Sequence, residues 1–405
     1  MTISAQHPVK SPRAAQWVLN FLNRLAVGQL EMQLPHGEKR TFGSCANTTD
    51  LSAQMVLNDW KVCAVTLQSG DIGFAESYIE GHWSTPDLTA LLTLLMRNRD
   101  HMEALVYGSW WGSIIYRFKH WLNRNTRQGS RKNIQAHYDL GNAFYALWLD
   151  ETMTYSSAWY GENPTQNLVQ AQRAKVRRAL QECGVKSGQR ILEIGCGWGG
   201  LAEIAASEMA AHVTGVTLSK EQLHWAHERL ERAQLMPQTD LRLQDYRDIS
   251  DGPYDAICSI EMFEAVGQAY WPDFFAAVYR NLAVGAKACI QTIVIHEDYF
   301  ERYQKSTDFI QQYIFPGGML PSRTAFVQQA QAAGLEVINE LAFGQDYART
   351  LRQWRETFWA HEEQVRAQGF VTRFIRIWEF YLAYCEAAFI TENTNVVQFT
   401  LRRAV

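Results

Sequence analysis

The chain reads as an α/β protein: a mostly parallel sheet covered by helices on both faces, preceded by a smaller mixed unit. Three observations predict this. From residue 133 onward, apolar runs of strand length alternate with helical periodicity. One of those runs ends in a glycine-rich turn, ILEIGCGWGG at 191–200, that opens directly into a helical stretch. The first hundred residues lack that alternation and are punctuated by glycines.

Taken in order, residues 1–16 are polar and expected to fray, and the apolar spacing over 17–34 predicts a helix. The Val-rich segment 54–67 predicts short strands, and Ser84, Pro86 and Asp87 mark a helix start before an apolar run. Residues 1–109 are read as one small mixed unit. Segment 110–132 carries Arg117, Lys119, Arg124, Arg127, Arg131 and Lys132 with no acid, and Trp and Phe recur at helical spacing. It is read as a basic amphipathic linker helix, suited either to a membrane interface or to packing on its own protein. Strands are predicted at 191–194, 213–216, 256–260, 288–295, 335–341 and 396–401. Helices are predicted at 325–333, 351–367 and 373–389.

Composition narrows the function. The 405 residues hold 38 basic against 42 acidic side chains, a net charge of −4, which argues against a general nucleic-acid binder. Seven cysteines (45, 63, 183, 196, 258, 289 and 385) show no C-x-x-C spacing, so reduced thiols in a cytosol are expected. No signal peptide and no run of about 20 apolar residues is read. The histidines show no H-x-x-x-H spacing, so no metal site is expected.

The chemistry begins at the glycine turn. Glu193 precedes Gly195, Gly197 and Gly199, and glycines there let the backbone pass close to a ligand at a helix N-terminus. Around it stand HYDLGNAFYALWLDETMTYSSAWY (137–160), VTGVTLSKEQ (213–222), SIEMFEAVG (259–267), YIFPGGMLPS (313–322) and FGQDYARTLRQW (343–354). In this order they resemble the cyclopropane-fatty-acyl-phospholipid and mycolic acid cyclopropane synthase family of S-adenosylmethionine-dependent methyltransferases. The resemblance covers 133–405, and the first hundred residues look like the lipid-binding N-terminal domain of the phospholipid-acting members.

The resemblance implies a seven-stranded, doubly wound, Rossmann-like class I methyltransferase domain with an antiparallel final strand, beside a small α+β lipid-binding domain. It implies S-adenosylmethionine as cofactor, held by Tyr155, Ser156, Glu193, Gly195, Gly197, Thr217, Leu218, Gln222, Asp245 and Tyr246. The substrate it implies is a cis-unsaturated acyl chain of a membrane phospholipid, with Tyr138, Phe263, Tyr313 and Phe315 expected along its tunnel. Methyl transfer leaves a carbocation, and a base then takes a proton. In the family that base is a bound bicarbonate, held here by Glu264, Tyr347 and the backbone N–H groups of Ser157 and Ile293.

One position departs from the family pattern. The usual bicarbonate histidine is Gln291, whose amide donates a hydrogen bond but carries no ionisable proton. Ring closure to a cyclopropane is the first expectation, and a methyl- or methylene-branched chain without a ring is the alternative. A lipid carrier with a vestigial cofactor site, and a methyltransferase of soluble acceptors, are the rivals from other classes. The resemblance further suggests a homodimer and a cytoplasmic protein at the inner face of the membrane.

Overall fold

The computed structural model describes residues 12–44, 51–101, 140–161 and 163–404. The basic segment 110–132, Tyr138 and Cys45 lie outside the described residues.

The N-terminal unit is built on four strands: β1 (Gln29–Gln33), β2 (Lys39–Gly43), β3 (Ser52–Leu57) and β4 (Trp83–Ser84), in the order β2-β1-β3-β4. The helix expected over 17–34 is corrected. The helix is Arg13–Leu22, and QLEMQ at 29–33 is a strand, burying Leu30 and Met32 on one side while Glu31 faces out. The strands expected over 54–67 are corrected as well. Pairing stops at Leu57, and Lys61–Ile79 is a helix whose start is buried at Val62 and Cys63. The helix Leu88–Arg97 starts where the sequence marks it, with the Asp87 carboxylate accepting from the Ala90 N–H at 2.9 Å.

The second sheet has seven strands: β5 (Arg190–Ile194), β6 (His212–Thr217), β7 (Thr239–Leu243), β8 (Tyr254–Ile260), β9 (Leu282–Ile295), β10 (Leu335–Ala342) and β11 (Thr394–Arg403). Their order is β10-β11-β9-β8-β5-β6-β7. Strands β5 to β9 are parallel neighbours, while β11 runs antiparallel to both β9 and β10. Strand order reverses at β5, between β8 and β6. In such sheets the carboxyl ends of the strands at that point form a ligand crevice. The pairing of β9 with β11 sets Gln291 directly opposite Gln398.

The N-terminal unit shares a core with the methyltransferase-like part. Trp83, Leu91 and Leu94 belong to the same buried cluster as Trp354, Trp378 and Phe380 on the helices Gly344–Ala360 and Thr372–Ile390. Glu386 pins that junction. Its buried carboxylate accepts from Arg352 and Arg355, each at 2.9 Å, and from Thr89 at 3.0 Å. Glu386→Ala removes one acceptor from three donors at once, two of them charged. It is expected to lower stability by about 1–3 kcal/mol, read as a drop in the thermal midpoint. Among the described residues no helix is long and apolar enough to cross a membrane.

Candidate active site

At the carboxyl end of β5 the chain turns through Gly195, Gly197 and Gly199, all at positive φ, into the helix Gly200–Met209. Gly195 has φ +88°, and a Cβ there would sit 2.8 Å from Met262 Cγ, so only glycine fits. Gly197 would meet nothing within 4 Å: its missing side chain leaves open space. Gly195→Ala is expected to weaken cofactor binding at least about tenfold, because the strained turn must shift by the cost of an αL residue plus a clash. Calorimetric titration with S-adenosylmethionine checks it.

This turn forms one wall of a cavity of about 330 Å³. All ten residues expected at the cofactor line it, from Tyr155 and Ser156 through Glu193, Gly195 and Gly197 to Thr217, Leu218, Gln222, Asp245 and Tyr246. Local chemistry explains their placement. Ser219 caps the helix Lys220–Arg232 by accepting from the Gln222 N–H, which turns Gln222 back toward Thr217, whose hydroxyl donates to it at 3.2 Å. Asp245 is gripped by Arg247 through two side-chain hydrogen bonds of 2.8 and 2.6 Å. Glu193 is buried with Oε2 unpartnered, and burial holds its carboxyl well above the usual range. An orphan carboxylate oxygen and a glycine-opened wall fit a ligand with an ammonium group, such as the amino-acid end of S-adenosylmethionine.

The far half of the cavity is apolar. It runs between the helices Phe309–Tyr313, Gly344–Ala360 and Thr372–Ile390, past Ile310, Phe315, Leu351, Tyr381, Ala388 and Phe389. Of the tunnel residues expected from the sequence, Phe315 lines it. Phe263 does not: its ring is fully buried in the core among Trp271, Phe274, Phe275 and Phe326. Tyr313 also points elsewhere, its hydroxyl donating to Glu76 on the helix Lys61–Ile79.

Where the two halves meet stands a group the sequence reading passed over. Strand β8 ends at Ile260, and Glu261 follows in the left-handed region at φ +50°. Its Oε1 accepts from the Ser157 N–H at 2.8 Å and from Gln291 Nε2 at 2.7 Å, and its Oε2 accepts from the Tyr347 hydroxyl at 2.6 Å. These are three of the groups that the resemblance reserves for bicarbonate. The anion they hold is the protein's own carboxylate, and the donor set as it stands does not fit a bicarbonate.

Glu264, the expected carboxylate, accepts from the Ile293 N–H at 2.5 Å, and its Oε2 is buried without a partner. Burial first, then the neighbouring Glu261 charge, push its acid up to about 8, so it keeps its proton at neutral pH. Burial also raises Glu261, opposed by Lys175 and by the Tyr347, Ser157 and Gln291 donors. The Lys175 ammonium, with the Tyr347, Ser157 and Gln291 donors, favours ionisation at Glu261 over Glu264. Lys175 is fully buried in the cavity wall and donates to Ser156 Oγ at 2.6 Å. Burial lowers its ammonium to about 8, against the pull of Glu261, Asp150 and Glu193.

A signal for Glu261 stood in SIEMFEAVG: two acids three residues apart at the carboxyl end of a central strand. Lys175 in AQRAKVRRAL gave none, since a cation in a charged helix reads as solvated.

The model of the mycolic acid cyclopropane synthetase family matches residues 125–399. A tuberculostearic acid methyltransferase of Mycobacterium tuberculosis is 40% identical over 341 residues, 82% of this chain and 79% of that protein. A cyclopropane-fatty-acyl-phospholipid synthase of Escherichia coli is 34% identical over 346 residues, 84% of this chain and 85% of that one. The crystal structure of the mycolic acid cyclopropane synthase CmaA1, complexed with SAH and CTAB, superposes with a TM-score of 0.63 at 32% identity. It covers 67% of this chain and 97% of its own.

Proposed function

Since the chain belongs to the mycolic acid cyclopropane synthetase family, we propose that it methylates a cis double bond in a phospholipid acyl chain. The product we assign is a mid-chain methylene branch, with Glu261 as the base. The family is S-adenosylmethionine-dependent and acts on lipids, and the cofactor supplies a sulfonium methyl as electrophile. The observation that carries the reading is the Glu261 carboxylate on Ser157, Gln291 and Tyr347.

Gly195, Gly197 and Glu193 seat the cofactor, and the apolar half aligns the alkene and excludes water. One alkene carbon would take the methyl that the bound cofactor supplies, with a neutral thioether as the leaving group. Its neighbour becomes a cation, faced by the aromatic walls at Phe315 and Tyr381. A hydride shift moves the charge to the methyl-bearing carbon. Glu261 Oε2 then takes a proton from the methyl, leaving a C=CH₂ branch on the chain. Glu264, neutral, leaves Glu261 as the base of the pair. The 40% identity to a tuberculostearic acid methyltransferase supports the branched product, as does Gln291 beside the base in place of the usual histidine.

Ring closure is the second reading, favoured by the Escherichia coli relative. Here the same proton is lost as the methyl carbon bonds the cation. Both products gain CH₂, so mass does not separate them. Purified protein, S-adenosylmethionine and liposomes of cis-unsaturated phospholipid are expected to give acyl products with vinylidene (=CH₂) protons by NMR. Upfield ring protons in their place would replace this reading with cyclopropanation.

A further inference from the structure

We infer that Gln398 and Arg178 are positioning residues: they form a one-way hydrogen-bond relay that keeps Gln291 a donor toward Glu261. The inference rests on the reading of Glu261 as the base. A glutamine amide has a donor end and an acceptor end of nearly the same shape, so nothing intrinsic decides which end faces a neighbour. Here the decision is made outside the cavity. Arg178, on the helix Leu168–Glu182, is a cation that only donates, and it donates to Gln398 Oε1 at 2.5 Å. Glu182, one turn on, holds Arg178 at 3.3 Å.

With its oxygen committed, Gln398 presents Nε2 across the strand pair. It donates to Gln291 Oε1 at 2.9 Å and to the Lys175 carbonyl at 3.2 Å. The oxygen of Gln291 is thereby taken, and Nε2 is the end that meets Glu261 Oε1. Gln291 and Gln398 are fully buried, so no solvent compensates a reversed amide.

The relay acts on the protonated form of Glu261. A free amide would turn its oxygen to the new carboxylic acid and accept its proton, stabilising the resting acid. A fixed amide cannot, so Glu261 returns to the ionised state after each turnover. The other groups facing Glu261 are the Lys175 ammonium, the Tyr347 hydroxyl, the Ser157 N–H and Glu264, with Asp150 and Glu193 behind Lys175. A change at 398 frees the Lys175 carbonyl but touches none of these side chains other than through Gln291.

The test is the pH dependence of kcat/KM on liposomes for Gln398→Met and Gln398→Glu. Calorimetric binding of S-adenosylmethionine reports that each folds. Gln398→Met adds no charge and frees the Gln291 oxygen. Below the acid limb it is expected to lose activity about three- to fivefold, recovered at higher pH, the size of one hydrogen bond. Gln398→Glu accepts from Arg178 and draws Gln291 Nε2 to itself, and its loss is at least about tenfold with a larger movement of the limb. An unmoved limb in Gln398→Met overturns the relay, whatever Gln398→Glu does, since the latter also brings a charge. A Glu261→Gln protein as active as the parent would instead sink the base reading, so the two failures are distinguishable.

Discussion

Glu261→Gln is expected to lower turnover by about 10²–10⁴-fold, the usual worth of a general base, while binding of S-adenosylmethionine stays within about threefold. The amide keeps the shape of the side chain but takes up no proton. It also sets an NH₂ against the Ser157 N–H, Gln291 Nε2 or Tyr347 hydroxyl, all of which now donate to the carboxylate. Glu264 replaces it only in part, because burial, the larger cause of its raised acid, persists when the Glu261 charge is gone. Removing that charge lets Glu264 ionise more readily, which sets the residual rate. Single-turnover kinetics with cofactor titration by calorimetry check both parts. Near-parental turnover would move the base elsewhere.

Lys175→Met is the second large effect. The Lys175 ammonium is the cation that opposes burial at Glu261, and it also faces Asp150 and Glu193. Without it, Glu261 holds its proton to higher pH, so the acid limb of the rate profile moves upward. An opposite charge at close range is worth about 1–3 pH units, so turnover at pH 7 falls about 10–100-fold and partly recovers in alkali. The sign is the check: a lysine acting only in packing would lower activity evenly across pH. Above about pH 8 the parent's own ammonium begins to deprotonate, so parent and variant converge there.

How far the sequence carried the argument follows from what each residue depends on. The parallel strands were legible because both faces are buried and the apolar runs are continuous, as at β5 and β8. The edge strand Thr239–Leu243 was missed: TDLRL buries only Leu241 and reads as polar. The segment VCAVTL read as strand because β-branched residues favour strands, yet tertiary burial made it a helix. Phe263 was placed in the tunnel beside Glu264, but in the turn Phe263–Ala265 neighbouring side chains diverge, and the phenyl ring went to the core. The cofactor residues emerged from ordered motifs. Glu261, Lys175 and Gln398 did not, since their roles depend on a left-handed φ, on burial and on a cross-strand register.

The Glu261 carboxylate stands among the donors that the resemblance reserves for bicarbonate. Glu261→Gly tests that placement most directly. At φ +50° glycine relieves an αL residue, so the change costs the backbone nothing and leaves the Ser157, Gln291 and Tyr347 donors around an open space. The assay is methyl transfer to unsaturated liposomes in bicarbonate-depleted buffer, followed by bicarbonate titration. The parent protein is expected to be indifferent to bicarbonate, and the Glu261→Gly protein to be inactive without it and to regain activity as it is added. A parent that needs bicarbonate, or a variant that bicarbonate does not rescue, would contradict the claim.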